Sequence, residues 1–189
     1  MNIAIIPARA GSKRLPGKNI ANLGGQPLVV RAFSLALRSS CFGAVVCTTD
    51  DIAVKEFARQ HMVGLHHRLP EHAHDTATTE SAVLDALHGF PGDALVTLLQ
   101  PTSPLTLTAD VLRTINAAKA GGLGAFTSTD GKRPSGNVYC MSLRRLRQGK
   151  PFAHPRCAKT RIPHQRAVDI DTAEDFARAE AAMRSNARN

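Results

Sequence analysis

Short apolar runs alternate with longer amphipathic segments from one end of this chain to the other, and no other feature restricts its fold as much. The runs Ile3–Ile6, Gly43–Thr48, Val63–His66, Ala94–Leu99, Leu123–Thr127, Asn137–Ser142 and Ala167–Ile170 have the length and content of buried strands. Helix candidates lie between them. Leu28–Ser39 follows Pro27, a residue at ease in a first turn. Asp51–His61 carries Ile52, Val54, Phe57 and Ala58 as an apolar stripe. Thr79–His88 stops at Gly89, and Ala109–Ala120 lies between Thr108 and the Gly121-Gly122 pair. Ala173–Arg184 has Thr172 as N-cap and Asp175 three residues on, a relative of the capping box. This alternation predicts a three-layer α/β domain with a mostly parallel sheet covered on both faces. No repeat, low-complexity tract or linker interrupts it, so residues 1–189 read as a single domain.

The first apolar run opens into the most chemically loaded segment, IAIIPARAGSKRLPGKN over residues 3–19. Arg9, Lys13, Arg14 and Lys18 are packed among Gly11, Gly17 and two prolines. In open α/β sheets, a loop at the carboxyl end of the first strand sits where ligands bind. Glycine lets backbone approach a phosphate, and fixed cations neutralise a polyphosphate. The glycine spacing is neither that of a Walker loop nor that of the dinucleotide fingerprint. Arg9 and Lys18 are the leading triphosphate contacts and the candidate catalytic cations, with Ser12 in support; the other reading is a solvated basic turn. Asn19 offers a donor and an acceptor, which suits a base edge.

Near the far end, Asp169 and Asp171 stand two apart at the end of the last strand candidate, which puts both carboxylates on one side of the chain. Such a pair repels unless a cation lies between, and magnesium favours one or two carboxylates plus phosphate oxygens. The alternative is that Asp171 helps to cap the helix that follows. Five of the eight histidines, His61, His66, His67, His72 and His74, crowd together, but no carboxylate or cysteine completes a familiar metal spacing.

The first block resembles the signature of the CMP–sialic acid synthetases (acylneuraminate cytidylyltransferases), which couple a nonulosonic acid to CTP. Further blocks match in order: RLPEHAHDTATT over 68–79, LLQPTSPL over 98–105, RPSGNVY over 133–139 with serine in place of asparagine, and VDIDTAEDF over 168–176. The 3-deoxy-manno-octulosonate cytidylyltransferases share a similar first block, while LLQPTSPL and Lys18-Asn19 favour the sialic-type branch. The resemblance implies a nucleotide-diphospho-sugar transferase (Rossmann-like) fold and a cytidylyltransferase that uses CTP, an acidic sugar and Mg²⁺. It implies nucleotide binding by Arg9, Ser12, Lys18, Asn19, Arg68, Ala77 and Thr79, with Asp75 and Thr76 open to an alternative role as helix caps. It also implies sugar contacts from Gln100, Arg133 and Tyr139, and a metal site at Asp169 and Asp171. Tyr139 reads equally well as a core tyrosine.

Composition sets the partners. Apolar residues make up 43% and charged residues 21%, ordinary for a soluble globular protein, and no apolar stretch reaches the length of a membrane span. Met1-Asn2 and the short run behind it do not form a signal peptide, and Cys41, Cys47, Cys140 and Cys157 show no CxxC spacing, which together suggest a cytoplasmic protein with reduced thiols. The net charge of +9 is uneven: residues 1–130 hold 11 basic and 10 acidic side chains, residues 131–189 hold 13 and 5. From Lys132 to Arg166 there are ten Lys or Arg and no acid. This stretch reads as a solvated surface, or as a rim for anionic substrates; nucleic acid is the weaker choice, with aromatics at 4%.

One departure stands out. In the resembled family several tens of residues separate the strand matching Gly124–Thr127 from the RPNG-type block, and they supply sugar contacts and a dimerisation lobe. Here only Asp130, Gly131 and Lys132 precede Arg133. The expectation is a monomer, or a homodimer built on another face.

Overall fold

The computed structural model describes residues 1–74 and 76–186. Nine strands occur among them: β1 (Asn2–Pro7), β2 (Asn22–Leu23), β3 (Gln26–Pro27), β4 (Ala44–Thr49), β5 (Gly64–His67), β6 (Leu95–Leu99), β7 (Gly124–Ser128), β8 (Val138–Ser142) and β9 (Ala158–Arg161). The helices are α1 (Leu28–Arg38), α2 (Ile52–Gln60), α3 (Pro70–Ala73), α4 (Thr79–Ala86), α5 (Thr108–Lys119), α6 (Leu143–Arg147) and α7 (Ala173–Asn186). Seven strands form one sheet in the order β5-β4-β1-β6-β8-β7-β9, and β2 with β3 makes a separate hairpin. Only β8 runs against its neighbours, so the sheet is mostly parallel, as the alternation predicts.

Parallel neighbours need crossover helices, and these cover both faces. One face buries Ala4, Ile6, Val29, Phe33, Ala36, Cys47, Val54 and Ile115 beneath α1, α2 and α5. The other buries Ile3, Ile5, Val83, Leu87, Phe126, Met141, Leu146 and Phe152 beneath α4 and α6. Alternate residues of Ile3–Ile6 thus serve opposite cores, which is why that run has no polar break. A third, smaller cluster joins Leu23, Leu28, Ile170 and Ala179, seating α7 on the hairpin.

Three sequence expectations are corrected here. Ala167–Ile170 is not a strand: it joins no sheet, and Ile170 is held by its N–H donating to the Thr102 carbonyl at 2.8 Å. The edge position belongs to β9, whose polar AKTR hides a half-buried alternation. Ile52 does not belong to the apolar stripe of α2, since it is 82% exposed, whereas Val54 and Ala58 are buried. The helix begins one residue later than expected because Asp51 is its cap, Oδ1 accepting from the N–H groups of Ala53 and Val54. The Thr172–Asp175 box forms as read: each side chain accepts the other residue's N–H, at 3.2 and 2.9 Å.

Candidate active site

β4 and β5 lie to one side of β1 and β6 to the other, so chain order reverses between β1 and β6. Crevices open beyond the carboxyl ends of strands at such a point. The loop after β1 and the Gln100–Leu105 loop after β6 border one here. A cleft of about 190 Å³ is lined by Pro7, Arg9, Ser12, Lys18, Asn19, Arg68, Ala77, Thr78, Thr79, Gln100, Pro101 and Thr102. All seven residues expected at the nucleotide are among them, and Gln100 lines the same cleft.

The local physics explains how they meet. Gly17, at φ 68°, turns the chain left-handed into the single turn Lys18–Ile20. Asp50 accepts the Ala10 N–H at 2.7 Å, which pins the start of the first loop to the end of β4. Asn19 donates through Nδ2 to the Arg9 carbonyl at 2.9 Å, so part of its hydrogen-bonding capacity shapes the loop. Arg9 reaches across to the Ala73 carbonyl. Arg68 follows β5, its N–H held by the Thr49 carbonyl, and is only 5% exposed. Its Nε and one terminal nitrogen are buried without an acceptor among the described residues. Burial pulls its pKa below the usual arginine value, with Asp50 partly restoring it. A buried guanidinium with unspent donors is costly unless something else accepts from it. Thr78, not Thr76, caps α4, while Asp75 lies outside the described residues.

The two carboxylates arrive by a different route. After β9 the chain runs along the carboxyl edge of the sheet: Ile162 donates to Ser128, the Arg166 carbonyl accepts from Asn137, and Ile170 donates to Thr102. This strap delivers Asp169 and Asp171 to the crevice. Asp171 accepts from Lys18 Nζ at 2.9 Å and from Arg14 at 2.7 Å. Its side chain therefore faces the first loop, and helix capping is left to Thr172 and Asp175. A second hollow of about 320 Å³, lined by Arg9, Ser12, Lys13, Arg14, Lys18 and Asp171, adjoins the cleft. Asp169 is open to water on one side, yet loss of hydration on the others raises its pKa; Asp171 adds to this, and the Thr102 hydroxyl and Lys18 oppose it. Gly136, at φ 87°, passes so close that a Cβ there would sit 3.4 Å from Asp169 Oδ2 and 3.3 Å from Ser103 Oγ. That glycine, within RPSGNVY, and Asp50 are site-shaping residues the sequence reading overlooks; the positive φ is the signal for the first.

For a hard cation the donor set fits: two carboxylates, one destabilised as an anion, beside a hollow lined with cations suited to phosphate oxygens. Among the described residues no group of three His, Cys, Asp or Glu side chains converges, so a bound ion would take its remaining oxygens from substrate and water. His66 and His72 both approach Asp85 Oδ2, at 3.5 and 4.0 Å, but the three do not converge as a metal site.

The sugar candidates divide. Tyr139 lies between the rings of Phe126 and Phe152, and burial, with Asp169 and Glu80 nearby, pushes its pKa up to about 12. It is thus a core ring with its hydroxyl in the field of Asp169. Arg133 is exposed in the turn after β7 and does not line the cleft. Asp130 organises that turn, accepting from the Ser128 hydroxyl and from the Lys132 and Arg133 N–H groups, which lower its pKa to about 2.

The cytidylyltransferase family profile matches residues 3–133. This chain belongs to that family. The chain is 35% identical over 147 aligned positions to the CMP-N,N'-diacetyllegionaminic acid synthase of Legionella pneumophila, covering 75% of this chain and 62% of the relative. It is also 35% identical to the N-acylneuraminate cytidylyltransferase of Streptococcus agalactiae, covering 92% of this chain and 51% of that one. It thus spans about half to three fifths of the length of these relatives. The streptococcal alignment runs over 211 positions, more than the 189 residues here, so part of the aligned relative has no counterpart in this chain. The fold is that of a CMP:2-keto-3-deoxy-manno-octonic acid synthetase complexed with CTP (TM-score 0.72, 15% identity, 98% of this chain and 99% of that one). It is equally that of a 4-diphosphocytidyl-2C-methyl-D-erythritol synthase from Anaerococcus prevotii (TM-score 0.70, 15% identity, 97% and 98%).

Proposed function

We propose that this cytidylyltransferase joins CMP from CTP to an acidic nonulosonic, sialic-type sugar and releases pyrophosphate. The observation that carries the reading is that Lys18 lines both the cleft holding the buried Arg68 guanidinium and the adjoining hollow where it pairs with Asp171. The sugar's anomeric hydroxyl attacks the α-phosphorus; the bond to the bridging oxygen breaks, pyrophosphate leaves with the electron pair, and the hydroxyl proton passes to water. Arg9 and Lys18 stabilise the charge that gathers on the phosphate oxygens, and Ser12 with the loop backbone orients them. Arg68, with Asn19, Ala77 and Thr79, reads the base and ribose; a guanidinium suits a pyrimidine carbonyl, which favours CTP over ATP and GTP. Gln100 faces the acid sugar. Asp169 and Asp171 would hold Mg²⁺, which neutralises phosphate charge when bound. A reaction that consumes CTP fits a cytoplasmic location and reduced cysteines. No helix among the described residues is long and apolar enough to cross a membrane.

Pyrophosphate release from CTP with Mg²⁺ and a panel of nonulosonic acids tests the reading. Turnover with at least one sialic-type acid, and none with ATP, is expected. CTP binding without release would favour a second reading, a nucleotide-binding module that depends on another chain. The short Asp130–Lys132 turn and the unmatched part of the relatives are what support that alternative.

A further inference from the structure

A hollow of about 550 Å³ opens at the carboxyl ends of β7 and β9, lined by Arg113, Thr129, Arg161, Ile162, Pro163, His164 and Arg166. It shares no lining residue with the crevice. Arg113 and Arg166 are both anchored on Asp110, which is fully buried; its other oxygen accepts the Leu107 N–H. One carboxylate therefore fixes two guanidinium groups, and its single negative charge is shared between them. Arg161 has no ion pair among the described residues, and Arg166 Nε has no acceptor among them. The next carboxylate along the chain, Asp130, is taken up by its own turn. Three guanidinium groups thus line one concavity against a single anion. Fixed like charges around a hollow cost stability, and a merely solvated face would hold them apart.

We propose that this hollow is a second binding site, separate from the crevice, for a small phosphate-bearing anion of nucleotide size. Guanidinium forks match phosphate oxygens two at a time, and three of them around one open depression suit a nucleotide or an oligophosphate rather than a single ion. The site sits on the strap that carries Asp169 and Asp171, so its occupant stiffens the segment that presents both carboxylates.

Amide NMR of the full chain, titrated with pyrophosphate without divalent metal, tests this. Two sets of shifts are expected: one at Ser12 and Lys18 in the crevice, another at Thr129, Arg161, Ile162 and His164. Arg161→Glu should weaken the second set at least tenfold and leave the first unchanged. Should that variant fold poorly, Arg161→Ala serves, since Arg113 bonds only the backbone carbonyl of Arg161. The proposal is overturned if sulfate shifts the second set as strongly as pyrophosphate, if either variant leaves it intact, or if no second set appears. Saturation of the same amides by a single-stranded oligonucleotide at lower concentration than pyrophosphate would overturn it in favour of nucleic acid.

Discussion

Arg68 shows how a site residue can be paid for by the fold around it. A charged side chain at 5% exposure with two nitrogens lacking an acceptor among the described residues costs the fold stability. Arg68→Met should leave the melting temperature equal or higher, because an apolar side chain of similar length escapes the desolvation cost. Loss of one charged hydrogen bond, worth about 1.5–3 kcal/mol, should weaken CTP binding roughly 10- to 100-fold by calorimetry. Asp171 should behave in the opposite way. Its pairs with Lys18 and Arg14 are partly exposed, so Asp171→Asn should cost only about 0–1 kcal/mol in melts while removing most turnover; normal turnover would refute its metal role. That Asp169 and Asp171 stand close enough to feel each other's charge was legible from their spacing. That Arg68 is buried was not, because burial comes from β4 and the first loop, far away in sequence.

Among the elements, legibility followed the strength of the apolar signal. Six strands were readable to within a residue or so: β1, β4, β6, β7 and β8 are largely buried and carry apolar runs, and the exposed edge strand β5 was marked by buried Val63 just before it. β9 was missed because an edge strand needs few of them, and Ala167–Ile170 was misread because its apolar residues seat a strap against α7 rather than pair in a sheet. The closeness of β7 and β8 gives a direct check. A Cβ on Gly124 would lie 2.3 Å from the Cys140 carbonyl oxygen, so Gly124→Ala should destabilise by about 1–3 kcal/mol in chemical melts. The contact of β5 with α4 should show in pH. Burial lowers the His66 pKa, with Asp85 partly opposing it. The unfolded chain then takes up a proton that the folded one resists, so this stability is present above pH 6.5 and is lost as pH falls below it. Melting temperatures at pH 7.5 and 5.5 should differ less in His66→Gln than in the parent.

At the scale of the whole molecule, charge governs association. With ten basic residues and no acid from Lys132 to Arg166, two copies meeting through that surface would set like charges face to face. Small-angle scattering at low salt should report a monomer, or a dimer joined elsewhere; a dimer through residues 130–166 would refute this. The antiparallel strand of the main sheet, β8, has a further consequence. Because β8 returns beside β7, the turn between them begins and ends at the same edge of the sheet, next to the crevice. A segment added there crosses nothing and disturbs no register, and each doubling of its length costs only about 0.6 kcal/mol in closure entropy. The Asp130–Lys132 turn is therefore a port: an engineered lobe spliced into it would stand at the carboxyl edge of the sheet while the loops after β1 and β6 stayed as they are.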